Sequence, residues 1–167
     1  TIITHDSGYP REQFVPFWET TKPRTYIGWG KSTQLGYGLG LAIGAKLAAP
    51  EKQVINVMGD AAFGMAGMDI ETAVRSEIGI MTVVLNNGVM THYRSHLPYA
   101  SEHWGSNKLS GDYTKVAEGL GAYAEQVTAP DQIAPAIRRA ISANHDGQPS
   151  LLEIITKEEE AIPNYWR

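Results

Sequence analysis

Short runs of β-branched and apolar residues recur along the chain at Thr1–Thr4, Val54–Met58, Met81–Leu85, Tyr123–Val127 and Leu151–Ile155, and each reads as a β-strand. Between them the periodicity changes. Leu39–Leu47 is apolar and alanine-rich, and Met68–Ile78 brings Ile70, Ala73, Val74 and Ile78 onto one helical stripe. Ile133–Ala143 does the same with Ile133, Ala136, Ile137, Ala140 and Ile141. Strands alternating with helices predict parallel strands joined by crossover helices. The segments 54–58 and 81–85 are almost continuously apolar, as central strands covered on both faces must be. The predicted fold class is therefore α/β, a doubly wound, mostly parallel sheet with helices on both faces. Gly147-Gln148-Pro149 reads as a turn before the last strand, and Lys157–Glu160 as a solvated charged tail.

Composition narrows the choice of function. With 167 residues, 43% hydrophobic and 19% charged, the chain fits a single folded domain and excludes a disordered tail. A formal net charge of −4 gives no basic field to attract nucleic acid or an anionic membrane surface, so neither is expected as a partner. Arg138-Arg139 reads as a helix surface. The absence of cysteine excludes disulfides and thiolate chemistry, and no apolar run approaches the ~20 residues that span a bilayer. The expected location is the cytoplasm. The abrupt start, strand-like from Thr1, suggests a piece of something longer. Nine of the 17 glycines fall between Gly28 and Gly67, where the backbone must bend sharply or come close to something.

In open α/β sheets, ligands bind beyond the carboxyl ends of the strands. Two such exits stand out: Gly59-Asp60-Ala61-Ala62-Phe63-Gly64 after one central strand, and Asn86-Asn87-Gly88 after the next. A carboxylate and a side-chain amide are hard oxygen ligands, suited to Mg²⁺ or Ca²⁺. The pair makes sense as a Mg²⁺ site if a diphosphate arrives with the metal and supplies further oxygens. A helix starting near Gly67 would then aim its positive end at the diphosphate. Taken singly, Gly59-Asp60 also reads as a tight turn and Asn86-Asn87 as a cap.

Gly59-Asp60-Ala61, then 24 residues, then Asn86-Asn87 resembles the thiamine-diphosphate binding motif, Gly-Asp-Gly followed at that distance by Asn-Asn. The run Ala66–Arg75 is similar to the helix between the two halves of that motif in the acetolactate synthase and pyruvate oxidase group. Gln34–Ala45 is similar to that group's glycine-rich segment and following helix. The resemblance extends from Asp6-Ser7-Gly8 to the last strand. It implies the diphosphate-binding domain of an enzyme that decarboxylates a 2-oxo acid and protonates the carbanion or joins it to an acceptor carbonyl. Asp60, the Asn87 side chain and the Val89 carbonyl would coordinate Mg²⁺. Gly59, Ala61, Ala62 and Phe63 fall where the family binds diphosphate through the turn backbone. Leu35 falls where an apolar residue props the cofactor into a V shape, and the backbone around Thr33 would contact the aminopyrimidine.

There are departures from the pattern. Ala61 replaces the last glycine of Gly-Asp-Gly, Ala62 stands where a hydroxyl is common, and Lys31-Ser32-Thr33 where many relatives have glycines. Gly88–Tyr93, in a stretch that borders the substrate in the family, does not follow the acetolactate synthase pattern, so acetolactate formation itself is not implied. No segment resembles the pyrimidine-binding domain that supplies the activating Glu. The chain alone is expected to bind cofactor weakly and turn nothing over, and to work in a homo- or hetero-oligomer. A split 2-oxo acid decarboxylase of the sulfopyruvate or phosphonopyruvate type is the alternative. A non-catalytic assembly domain is the alternative of another class. The resemblance does not say whether FAD is bound elsewhere. His92, His96 and His103 lack the neighbouring Glu of a zinc protease and read as a surface or substrate-side loop, with Tyr93, Tyr99 and Trp104 near a pocket or exposed. Gly36-Tyr37-Gly38 and Gly38-Leu39-Gly40 fail the dinucleotide fingerprint at its third glycine.

Overall fold

A computed structural model describes residues 1–28 and 34–159. Six strands, β1 (Ile2–His5), β2 (Tyr26–Ile27), β3 (Val54–Gly59), β4 (Met81–Asn86), β5 (Tyr123–Val127) and β6 (Ser150–Ile155), form one sheet in the order β2-β1-β3-β4-β6-β5. Every pairing between these strands is parallel. The helices are α1 (Tyr9–Phe14), α2 (Tyr37–Ala48), α3 (Asp60–Ala66), α4 (Ile70–Arg75), α5 (Tyr93–His96), α6 (Pro98–Trp104), α7 (Tyr113–Gly119) and α8 (Pro130–His145).

Because strand side chains alternate between faces, the apolar runs feed two cores. On one face Val54, Met58, Val84 and Leu151 pack with Leu39, Ala42, Phe63, Ile70 and Ala117 from α2, α3, α4 and α7. On the other, Val57, Met81, Val83 and Leu152 pack with Ala136 and Ala140 of α8 and with Phe14 of α1. The doubly wound expectation therefore holds, with the five expected strands in place.

Several features differ from the sequence reading, among them α5 and α6, which occupy most of the 92–104 stretch that reads as a loop. β2 is a two-residue edge strand, too short for any periodicity to register. The single helix expected over Met68–Ile78 is shorter: a tight 3₁₀ turn spans Gly67–Asp69, and α4 stops at Arg75. Ile78 still enters the core, but from the turn beyond the helix end, its N–H donating to the Ala73 carbonyl at 2.9 Å. The helix whose start faces the strand ends begins at Asp60 itself rather than near Gly67.

Candidate functional site

β1 sends its connection toward the edge strand β2, whereas its neighbour β3 sends its own toward β4, so the two connections diverge. Divergence of this kind leaves a crevice above the carboxyl ends of the two strands. A cavity of about 220 Å³ lies there. Its walls come from Ser7–Pro10 after β1, Leu35 before α2, Gly59–Ala62 at the β3–α3 junction, Asn87 and Val89–Thr91 after β4 and Thr156 after β6.

Asp60 is the first residue of α3 and is buried. One carboxylate oxygen accepts from its neighbour's N–H, Ala61 N, at 2.8 Å, and the other from Gly88 N at 2.8 Å. The second bond joins the two halves of the motif across β3 and β4. Burial raises the Asp60 pKa above its ordinary value, against the opposing pull of backbone N–H groups at Ala61, Gly88 and Asn87. Among the described residues Asp60 takes part in no ion pair.

The turn after β4 is built on its own side chains. Asn87 Oδ1 accepts from Val89 N at 3.1 Å and its Nδ2 donates to Thr91 Oγ1 at 3.0 Å. Gly88 has φ 71°, a left-handed conformation that favours glycine. Val89 forms an isolated antiparallel bridge with Lys108, through Met90 N to Asn107 O at 2.7 Å and Leu109 N to Gly88 O at 2.8 Å. In that pattern the bonds come from the flanking residues, so the N–H and carbonyl of Val89 turn to the other side.

A second buried carboxylate, Asp6, holds the opposite wall. It accepts from Ser7 N at 2.7 Å, from Gly36 N at 3.0 Å and from Gly38 N at 3.0 Å, fastening the start of α2 to the end of β1. Gly38 is needed there for closeness: a Cβ would stand 2.6 Å from Asn56 Oδ1. Leu35 is thereby held at the cavity wall, where it also packs against the first core.

Of the residues singled out by sequence, Leu35, Gly59, Asp60, Ala61, Ala62, Asn87 and Val89 line this one cavity. Phe63 does not. Its ring is buried against Tyr113, with centroids 5.3 Å apart, and in the helical ladder its N–H is the first to find an acceptor four residues back. Thr33 lies outside the described residues. Tyr93 reaches the cavity, while Tyr99 and Trp104 are exposed and packed on each other. His92 meets the Tyr9 hydroxyl, and His103 stacks on Tyr99. Among the described residues no group of three or more His, Cys, Asp or Glu side chains could hold a metal ion. Sequence reasoning missed Asp6, Tyr9, Pro10 and Thr156. The legible signal was position: Asp6 and Thr156 each follow a strand directly.

Fold and crevice together define a cofactor-binding α/β domain. Residues 6–154 match the family described as "Thiamine pyrophosphate enzyme, C-terminal TPP binding domain", and the chain belongs to that family. A probable acetolactate synthase large subunit of Methanocaldococcus jannaschii is 32% identical over 98% of this chain and 28% of its own length. The mitochondrial acetolactate synthase catalytic subunit of Aspergillus candidus is 33% identical over 97% of this chain and 23% of its own. Among solved structures, a thiamine diphosphate-dependent 4-hydroxybenzoylformate decarboxylase of Rhodococcus jostii superposes with a TM-score of 0.82 at 26% identity. It covers 96% of this chain and 30% of that one. The chain thus spans between a fifth and a third of the length of these relatives. No helix among the described residues is long and apolar enough to cross a membrane.

Proposed function

We propose that this chain binds the diphosphate end of thiamine diphosphate through Mg²⁺, in an enzyme that decarboxylates a 2-oxo acid and protonates the carbanion or joins it to an acceptor. The observation that carries the reading is the Gly88 N–H to Asp60 carboxylate bond at 2.8 Å, which holds the Asn87 turn beside the one buried carboxylate at the β3 exit.

The donors suit the metal. Mg²⁺ takes one or two protein carboxylates or amides and completes its octahedron with phosphate and water, so three or more acidic ligands are not required. Asp60 is a buried carboxylate that takes part in no ion pair among the described residues. Asn87 Oδ1 uses one lone pair on Val89 N and keeps another. Asp60, Asn87 and the Val89 carbonyl would hold the ion, and Gly59, Ala61, Ala62 and Phe63 would border the diphosphate. Of the three amides within α3, that of Ala61 is already committed to Asp60, and that of Phe63 to the helix, which leaves Ala62 as the best-placed donor of the helix. Leu35 would brace the cofactor and the Thr33 backbone would meet its aminopyrimidine. Bound thiamine diphosphate supplies the electron sink that decarboxylation needs.

This chain's residues bind and orient. The cavity rim of Tyr9, Met90, Thr91 and Tyr93 would face the 2-oxo acid. The pyrimidine end and its activating carboxylate would come from a separate pyrimidine-binding domain in a homo- or hetero-oligomer. Calorimetric titration of the assembled protein tests the metal site. Asp60→Ala and Asn87→Ala should each weaken Mg²⁺-dependent thiamine diphosphate binding beyond the roughly 10–100-fold typical of outer-sphere partners. Unchanged affinity in either folded variant would count against the assignment.

A further inference from the structure

Glu153 is a wholly buried acid in the middle of β6, on the same face as Leu151, where the strand pattern calls for an apolar residue. No cation answers it: among the described residues it forms no ion pair. Its partners are three neutral donors. Asn86 Nδ2 gives to Oε1 at 2.7 Å, while Gln126 Nε2 at 3.2 Å and Thr114 N at 3.4 Å give to Oε2. Burying a carboxylate on neutral donors is costly, and leucine or glutamine would fill the space more cheaply.

What the carboxylate does that glutamine does not is fix the orientation of Asn86. A carboxylate only accepts, so it draws the Asn86 NH₂ inward and turns Oδ1 outward. That oxygen accepts from Gly88 N at 2.9 Å, and the same N–H reaches Asp60 Oδ2 at 2.8 Å. A continuous chain of bonds therefore runs from the interior of β6, through Asn86, to the turn that carries Asn87 and Val89. The turn is pinned at Gly88 from two directions, by the interior through Asn86 and by Asp60.

We propose that Glu153 is a positioning residue for this turn: acting through Asn86, it sets Gly88 so that Asn87 and Val89 stand in register with Asp60. The inference rests on the Mg²⁺ and thiamine diphosphate reading of the site.

The donor and acceptor balance supplies a test by exchange. Glu153→Gln alone must face a donor with a donor, either at Asn86 or at Gln126 and Thr114. Asn86→Asp alone sets two carboxylates against each other. The double exchange, Asn86→Asp with Glu153→Gln, restores a donor opposite every acceptor: the glutamine NH₂ gives to the new carboxylate, whose other oxygen accepts from Gly88. The experiment measures, in the assembled protein, the Mg²⁺ concentration that half-saturates thiamine diphosphate binding, well below each variant's melting midpoint.

Each single variant should require about 10-fold more Mg²⁺. The double exchange should return to within about threefold of wild type, by the same outer-sphere scale. Asn86→Ala, on the partly buried side of the chain of bonds, should match the singles and serves if Glu153→Gln does not fold. Single variants that bind like wild type, or a double exchange no better than the singles, overturn the inference while leaving the metal assignment standing. Absence of Mg²⁺-dependent binding by wild type overturns both.

Discussion

His5 closes the end of β1 with its ring wedged among Tyr26, Tyr37 and Gly28, where a Cβ on Gly28 would stand 2.0 Å from Nε2. Burial lowers its pKa below the ordinary imidazole value, partly offset by the bond to the Asp6 carbonyl at 3.1 Å. The unfolded chain then takes up a proton at a higher pH than the folded one. Stability present above the ordinary imidazole pKa is lost as the pH falls through that value toward the lower one of the native state. Urea unfolding midpoints between pH 7 and 5 should fall for wild type more steeply than for His5→Asn, which does not titrate there. Parallel slopes would show that His5 is protonated in the native state as readily as in water. At this scale the sequence exposed the acid and amide at the strand exits, because Gly59-Asp60 and Asn86-Asn87 are short-range signals. It concealed Asp6 and Glu153, most of whose partners lie far along the chain, at Gly36, Gly38, Asn86 and Thr114. Phe63 shares a turn with the cavity residues, but its side chain belongs by helical phase to the core.

Three helices end in the same hydrogen-bonded motif. After α7, Ala122 N donates to the Ala117 carbonyl and Gly121 N to Glu118, with Gly121 at φ 95°. After α8, Gln148 N reaches Ala143 and Gly147 N reaches Asn144, with Gly147 at φ 79°. After α4, Ile78 N reaches Ala73 and Glu77 N reaches Val74, but the left-handed residue is Glu77, at φ 52°. A side chain in that conformation costs roughly 1–2 kcal/mol, and glycine gives part of this back as unfolded-state entropy. Glu77→Gly should therefore stabilise the fold by about 0.5–1 kcal/mol in urea unfolding; a loss of stability would contradict the helix-end geometry. The same motif explains which helix boundaries were legible. Gly121 and Gly147 advertise their stops, while Glu77 looks like one more helix former, so the helical stripe read on to Ile78.

At the scale of the whole molecule, the order β2-β1-β3-β4-β6-β5 does the positioning. It brings the exits of β1, β3, β4 and β6 to one end of the sheet, so residues from Ser7 to Thr156 meet at a single cavity. Parallel strands and alternating helices were readable from the apolar runs at 54–58 and 81–85. The order of the strands was not, since the edge strand Tyr26–Ile27 carries no pattern of its own and β6 inserts between β4 and β5. That insertion places Glu153 beside Asn86, the contact on which the turn rests. The opposite end of the sheet is held by Asn144 of α8, whose Nδ2 donates to the carbonyls of Ile80 and Gln148, each at 2.9 Å. Asn144→Ala leaves both carbonyls without that donor and should cost about 1–3 kcal/mol in urea unfolding. Because Asn144 lies far from the cavity lining, it should leave cofactor affinity unchanged; a matching loss of affinity would show that the two ends of the sheet are coupled.

The central claim is that the crevice recognises a diphosphate through a metal. It is tested most directly by titrating the assembled protein with thiamine diphosphate in the presence of Mg²⁺, then in EDTA, and with thiamine lacking the diphosphate. The account predicts saturable binding only with Mg²⁺ and diphosphate together. Equal affinity in EDTA, or for thiamine itself, would contradict it.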